Sequence, residues 1–300
     1  MASTMVASSS SVDLSRLDAP TIVEQLTFDQ ILADMIARVK LVLPAFDATV
    51  DSDPAVKVLQ VAAYQVMLIR QSFNDAARQL MVAYATGTRL DHLAALFGVE
   101  RLIITPANPE AGTPTVLEND TALRQRIQLA PHSFSVAGPE LAYAFHARSA
   151  HGDVSDATAV SPSPGEVVVT VLSASGTGVP AAPVLNAVRT RLNGPVRPLT
   201  DHVTVNPVEL VNFVIEAELY VFAGPDQALI LQTAQASLST YLASVRRLGR
   251  DAARSAIIAA LHVGNVQRVE LLQPAANIAI SAGQIANPTA STVTVAGTEL

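Results

Sequence analysis

The chain has 300 residues, half of them hydrophobic and 15% charged, with a formal charge of −7 from 19 basic and 26 acidic side chains. That acidic balance excludes the global electrostatic footprint of a nucleic-acid binder. The absence of cysteine excludes disulfides, thiolate nucleophiles and thiolate metal sites. No apolar run reaches the roughly 18–20 residues of a bilayer span, so a membrane is not an expected partner. Aromatics make up only 4% and tryptophan is absent. Without large aromatic anchors, a partner interface is expected to be extended rather than one deep pocket.

The Ser/Ala-rich start carries no basic residue until Arg16, so residues 1–20 read as a flexible arm rather than a signal peptide. Thr27-x-x-Gln30 is a capping box, and Phe28, Ile31, Leu32, Met35, Val39 and Val42 form the helical stripe behind it, ended by Pro44. Asp53-Pro54 supplies an N-cap and a first-turn proline for a helix expected to run to about Ala85. Its apolar positions are Leu59, Ala62, Ala63, Val66, Ile69, Phe73, Ala76, Leu80 and Tyr84. Such a helix would be about 48 Å long and reads as a strut.

A structural corner closes it. Gly87 suits a left-handed position after the long helix, and Thr88 with Asp91 is expected to cap the next helix. Leu90, Leu93, Ala94 and Phe97 form its stripe, and Gly98 fits the position after it, with Val99 folding back as in a Schellman motif. None of these residues needs a substrate. The segment 105–116, with three prolines and a glycine, reads as a linker.

Beyond it the pattern is mixed. Helices are expected at 118–129, from Gly138-Pro139-Glu140 to 149, at 183–192, 226–245 and 251–261. Strands are expected at 154–160, 166–172, 203–205, 211–222 and 266–272, and the first two are joined by the turn 161–165. A last alternating run, 291–295, has no local partner; it either returns to the preceding sheet or adds to another chain. The expected fold class is therefore α+β multidomain: an N-terminal helical region with a long helix, two small α/β units and a C-terminal β tail. The expected boundaries are an arm at 1–20, a bundle-forming helical domain at 21–104, the linker at 105–116, α/β domains at 117–206 and 207–273, and an extension at 274–300.

No catalytic constellation stands out, and no cofactor or metal is expected. The six histidines are not spaced as a ligand cluster. Gly176-Thr177-Gly178 hints at a phosphate loop but lacks the lysine of one, and reads better as a helix-opening loop. Glu216 and Glu218 share one face of a strand and could serve a hydrolase as paired carboxylates. Phe213, Ile215, Ala217, Leu219 and Val221 fill the opposite face, so the glutamates more simply line the solvated side. Arg246, Arg247, Arg250 and Arg254 cluster around Gly249 between two helices. They read either as charge at a helix C-terminus or as a docking point for an acidic partner surface.

Several blocks together resemble the baseplate J family of contractile-tailed phages and R-type bacteriocins, which includes gene-6-like wedge proteins. They are D-L-S-R-L-D-A-P at 13–20, the corner L-D-x-L-A-x-x-x-G-V-x-R, and L-E-N-D-T-A-L-R-Q-R-I-Q-L at 117–129. S-P-S-P-G-E-V-V-V-T-V-L at 161–172, R-P-L-T-D-H-V-T-V at 197–205, L-G-R-D at 248–251 and L-H-V-G-N-V-Q-R-V-E-L at 261–271 follow in family order. The resemblance implies a non-enzymatic wedge component of a tail baseplate. Its implied partners are another copy of itself, a tail protein I-like partner, a small lysozyme-like wedge protein that links to the sheath, and the hub and spike enclosed by a sixfold ring. The linker is expected to let copies differ by rotation near 105–116. The alternatives are a tail-associated hydrolase using Glu216 and Glu218, or a generic soluble adaptor.

Overall fold

The computed structural model describes residues 14, 17–19, 21–22, 24–47, 50, 52–110, 112–135, 137–224 and 226–299. The arm expected at 1–20 lies almost wholly outside the described residues. The chain forms two compact units, one over Val12–Glu100 and one built on Arg101–Leu300.

In the first unit, helix α1 (Phe28–Val42) starts at the expected capping box: Thr27 N–H donates to Gln30 Oε1 at 2.8 Å and Gln30 N–H returns to Thr27 Oγ1 at 3.3 Å. Helix α2 (Pro54–Arg78) packs on α1 and opens with Ala55 N–H donating to Asp53 Oδ1 at 2.7 Å. Buried Asn74 accepts from Ile22 N–H at 3.1 Å and Arg70 donates to the Glu24 carbonyl, so α2 fastens the segment leading into α1.

Helix α2 ends at Arg78 rather than near Ala85, which shortens the strut to about 37 Å. The apolar period runs on, but past Arg78 the backbone tightens into i→i+3 turns, with Leu80 N–H to Ala77, Met81 to Arg78 and Tyr84 to Met81. Gln79 holds this bend with its amide: Nε2 donates to the Tyr84 carbonyl at 3.3 Å and Oε1 accepts from Thr86 N–H at 3.0 Å.

Helix α3 (Thr88–Ala95) corrects the expected cap. Gly87 is its N-cap, at φ 55° and ψ −137°, and the Gly87 carbonyl accepts from Leu90 and Asp91 N–H. Thr88 is the first helical residue, and Asp91 sits in the first turn, where a carboxylate meets the positive end of the dipole. That backbone geometry is not the left-handed helical one, but it is equally reserved for glycine. At the other end Gly98, at φ 66°, closes α3 as expected: Gly98 N–H donates to Ala95 and Val99 N–H to Ala94. Leu90, Ala94 and Val99 are buried there.

The second unit begins with β1 (Ile103–Thr105) pairing antiparallel with β2 (Val116–Leu117). The proline-rich stretch between them is thus a closed excursion. Its base is fastened by Glu118 N–H to the Leu102 carbonyl (2.9 Å) and by Arg101 to the Glu118 carbonyl (2.6 Å) and to Asp120 (2.7 Å). Rotation within 105–116 would move the excursion alone, so the hinge expected there is not supported by its geometry.

Helix α4 (Asp120–Leu129), a 3₁₀ turn (Ala130–Phe134) and helix α5 (Glu140–Arg148) lead into the first sheet. Its order is β3 (Val154–Val160), β4 (Glu166–Ser173), β5 (His202–Pro207), with β3/β4 antiparallel and β4/β5 parallel across helix α6 (Ala182–Leu192). The second sheet has the order β7 (Val266–Gln273), β6 (Glu209–Phe222), β8 (Gln284–Glu299), backed by helices α7 (Gln227–Val245) and α8 (Arg254–Leu261). The C-terminal strand therefore returns to its own sheet, running parallel to β6 along that strand's full length from Glu209↔Gln284 to Phe222↔Glu299. Each sheet has its own apolar core, and Leu172, Val208, Leu248 and Ile285 form a third cluster that joins the two.

The blocks that carry the family resemblance are the joints of this unit. Tyr143 Oη donates to Asp201 at 2.6 Å, and a Cβ on Gly138 would stand 2.7 Å from Pro198, so the 138–143 and 197–201 turns interlock. Asp251 accepts from Ile280 N–H at 2.7 Å, Gly249 N–H donates to the Gln284 carbonyl, and Ala252 bridges Ile278, so L-G-R-D clasps the lead-in to β8.

Candidate functional site

The first candidate surface lies on α2. Val56, Ala63 and Asn74 face inward and are buried. On the opposite side Val58, Val61, Leu68, Ile69 and Phe73 fall on one arc of the helix, and all are exposed, Val58 at 68% and Phe73 at 60%. The single stripe expected for this helix is therefore divided. Ala63 is buried, but Ile69, Phe73 and Leu80 are turned to solvent. The end of α1 adds Leu41 and Val42, 83% and 87% exposed. A helix that is apolar on both sides presents one apolar face beyond the one its own unit buries.

The second candidate is the arginine corner between α7 and α8, and the structure splits its four residues. Arg254 turns inward and donates to the carbonyls of Leu271 (2.9 Å) and Pro274, while its N–H takes Asn277 Oδ1. It is a clamp on the chain after β7. Arg246 donates to the Gly176 carbonyl at 2.9 Å and Arg250 to the Ser244 carbonyl at 3.1 Å, the latter consistent with a cation at the end of α7. Arg247 alone of the four has no side-chain hydrogen bond among the described residues. It faces Arg148, at the end of α5, across a cavity that also contains Asp156.

Sequence reasoning passed over Arg148, Arg126 and Glu118, because arginine and glutamate on a helix ordinarily mark a solvated face. Here Glu118 and Arg126 form a buried ion pair at 2.5 Å, and Arg126 Nε donates to Ser149. Arg148 is only 8% exposed, and its guanidinium is bound to Gln125 Oε1 at 2.6 Å. Burial pulls its pKa below the ordinary arginine range, and nearby Asp156 works against that. The i, i+8 spacing of Glu118 and Arg126 was the available signal, since it spans a capped helix start and two turns.

The other sequence candidates take structural places. Glu216 is exposed and Glu218 half-buried on an open sheet face, where Glu218 neighbours Tyr220 Oη at 3.4 Å, while Phe213 through Val221 alternate inward. Beside the Gly176–Gly178 loop a carboxylate already takes the serine donors: Asp153 accepts from Ser173 Oγ, from Ser175 N–H (3.1 Å) and from Ser175 Oγ (3.0 Å). A phosphate there would meet a fixed negative charge. Among the described residues no group of His, Asp or Glu is arranged to hold a metal ion, and no helix is long and apolar enough to cross a membrane. His146 is half-buried beside Phe145, and burial together with Arg191 lowers its pKa.

Known proteins match the chain along most of its length. Residues 51–108 match the Baseplate J-like N-terminal domain, 135–207 the Baseplate J-like central domain, and 213–296 the Baseplate J-like protein C-terminal domain. Baseplate protein J of Escherichia phage P2 is 42% identical over 298 residues, covering 96% of this chain and 99% of that protein. With three successive domains matched in order and one relative aligned along almost its whole length, the chain belongs to the baseplate J-like family.

Proposed function

We propose that this baseplate protein is a wedge component, which pairs with another copy of itself and with a tail protein I-like partner, and which helps close a sixfold ring around the hub and spike. The observation that carries the reading is the exposed apolar arc of α2, from Val58 to Phe73, in a chain of this family. A baseplate J protein is a structural part of a tail baseplate, and such an arc is what a helix needs in order to join a bundle with partner helices. The arc is long and shallow, which suits an extended interface built from small aliphatic contacts. A role in passing conformational change to the sheath, through a small lysozyme-like wedge protein, belongs to the same reading.

A genome lacking this chain should yield particles without baseplates, seen by negative-stain electron microscopy, and the intact chain supplied in trans should restore them. Complete baseplates in the absence of the chain would overturn the proposal. A hydrolytic role is the weaker reading, since Glu216 and Glu218 lie on an open face with no enclosed substrate site around them. Infectivity and particle count unchanged in a Glu216→Gln, Glu218→Gln chain are the expected result.

A further inference from the structure

A cavity of about 370 Å³ opens where the loop between α7 and α8 crosses the outer edge of the first sheet. Its floor is held by Asp156, whose two carboxylate oxygens accept from Ala157 N–H (2.9 Å) and Leu248 N–H (3.2 Å). Both bonds are to backbone, so neither oxygen is directed to an arginine by a hydrogen bond. Arg148 lines the same cavity with a buried guanidinium whose Nε–H has no hydrogen-bond partner among the described residues. A buried donor left unsatisfied is costly and uncommon, so it points to a group that completes it. Arg247, with no side-chain bond among the described residues, and Arg250 stand on the rim.

The lining sets the kind of ligand. Three arginines face two carboxylates, Glu140 and Asp156, which leaves one net positive charge for an occupant. A single carboxylate balances that charge, whereas a phosphate dianion would overshoot it beside two fixed negative charges. The remaining wall is aliphatic, from Leu129, Leu141 and Leu248. It suits an apolar group next to the carboxylate, as in a short acidic-aliphatic protein segment.

We infer that this cavity receives an acidic side chain of a partner protein, its carboxylate on Arg148 and Arg247 and its aliphatic neighbour on the leucine wall. The inference rests on the wedge reading for the existence of a partner, but its chemistry is readable on the isolated full-length chain. The probe is isovalerate, a carboxylate with a branched aliphatic tail, titrated at constant ionic strength while the arginine Nε–H resonances are followed by NMR. Isovalerate should shift the Arg148 signal saturably, in the millimolar range expected of so small a ligand. Neutral isovaleramide should not, and inorganic phosphate should bind more weakly. Arg247→Gln should weaken isovalerate about tenfold with an unchanged melting temperature. Arg148→Lys, which keeps the charge but loses the planar guanidinium, should abolish the isovalerate-induced shift of the Arg247 Nε–H signal, which the parent chain shows as well.

No saturable shift, an equal response to isovaleramide, or tighter phosphate binding would overturn the carboxylate assignment, and the wedge reading would stand on its own particle test. Isovalerate binding together with normal particle yield from an Arg247→Glu chain would overturn the partner assignment.

Discussion

The two units of this chain handle their apolar residues in opposite ways. In the unit built on Arg101–Leu300, alternation along β6 sends Phe213, Ile215, Ala217, Leu219 and Val221 into one closed core, and even the last strand is used to cover it. In the unit over Val12–Glu100, two helices of 15 and 25 residues bury only Ile31, Val56, Ala63 and Asn74 fully. Of their remaining aliphatic positions some, such as Leu32, Leu59 and Val66, are half-buried, and the others are exposed. A region that finishes its own core is a scaffold, and the proposed wedge role assigns the open helix face of the other to assembly. The contrast implies that damage to the core of the second unit is read as lost folding, and damage to the open helix face of the first as lost assembly.

The strongest test of that division is the buried pair of Glu118 and Arg126, with side chains 4% and 5% exposed. Arg126→Ala leaves Glu118 charged without its partner and should cost about 3–5 kcal/mol, measured by urea denaturation followed by circular dichroism. The double change Glu118→Gln, Arg126→Met should recover a large part of the loss, because both charges then leave the interior. Equal losses for the single and double variants would mean that the pair acts through packing alone.

Next in size, Leu219→Ala removes a fully buried side chain from the centre of β6 and should cost about 2–5 kcal/mol. A loss below about 1 kcal/mol would show that this core is far more compliant than its burial indicates.

What could be read from the residues follows the same division. Strand spans such as Val154–Val160 and the caps at Thr27 and Asp53 were legible, because local alternation and short side-chain-to-backbone bonds determine them. The cap at Thr88 was misread because a following carboxylate pair looks the same whether the glycine before it is the end of one helix or the start of the next. The length of α2 was misread because Gln79 ends it with a side-chain amide, which leaves no mark in hydrophobic period. The arginine corner was legible as a cluster. Which of its members are spent on carbonyls depends on contacts as distant as Arg246 to Gly176, and spacing does not carry that. The pocket arginine, Arg148, was hidden for the same reason.

The corner at Gly98 offers a smaller effect inside the helical unit. A Cβ there meets nothing within 4 Å, so the penalty for adding one comes from φ 66° rather than from crowding. Gly98→Val should cost about 1–2 kcal/mol through the left-handed conformation alone. Gly138→Ala makes the contrast in the other unit, since its Cβ would stand 2.7 Å from Pro198 and 3.0 Å from Asp201. If Gly98→Val melts like the parent, the Schellman close of α3 is not what holds the corner.

The smallest expected effect on stability carries the sharpest functional consequence. Val61 and Phe73 are 65% and 60% exposed on the open arc of α2, so replacing both with serine removes almost no burial in the isolated chain. Each change should alter stability by no more than about 0.5 kcal/mol. In an assembled bundle the same side chains would each bury most of their apolar surface, worth about 1.5–3 kcal/mol per residue. The double variant should therefore fold and melt like the parent while losing self-association by analytical ultracentrifugation and baseplates by electron microscopy. Matched changes at Leu199 and Leu229, also exposed but in the other unit, should leave both readouts intact. Assembly that survives on the α2 variant and fails on the control would invert the comparison, making Leu199 and Leu229, rather than the α2 arc, the apolar contacts of assembly.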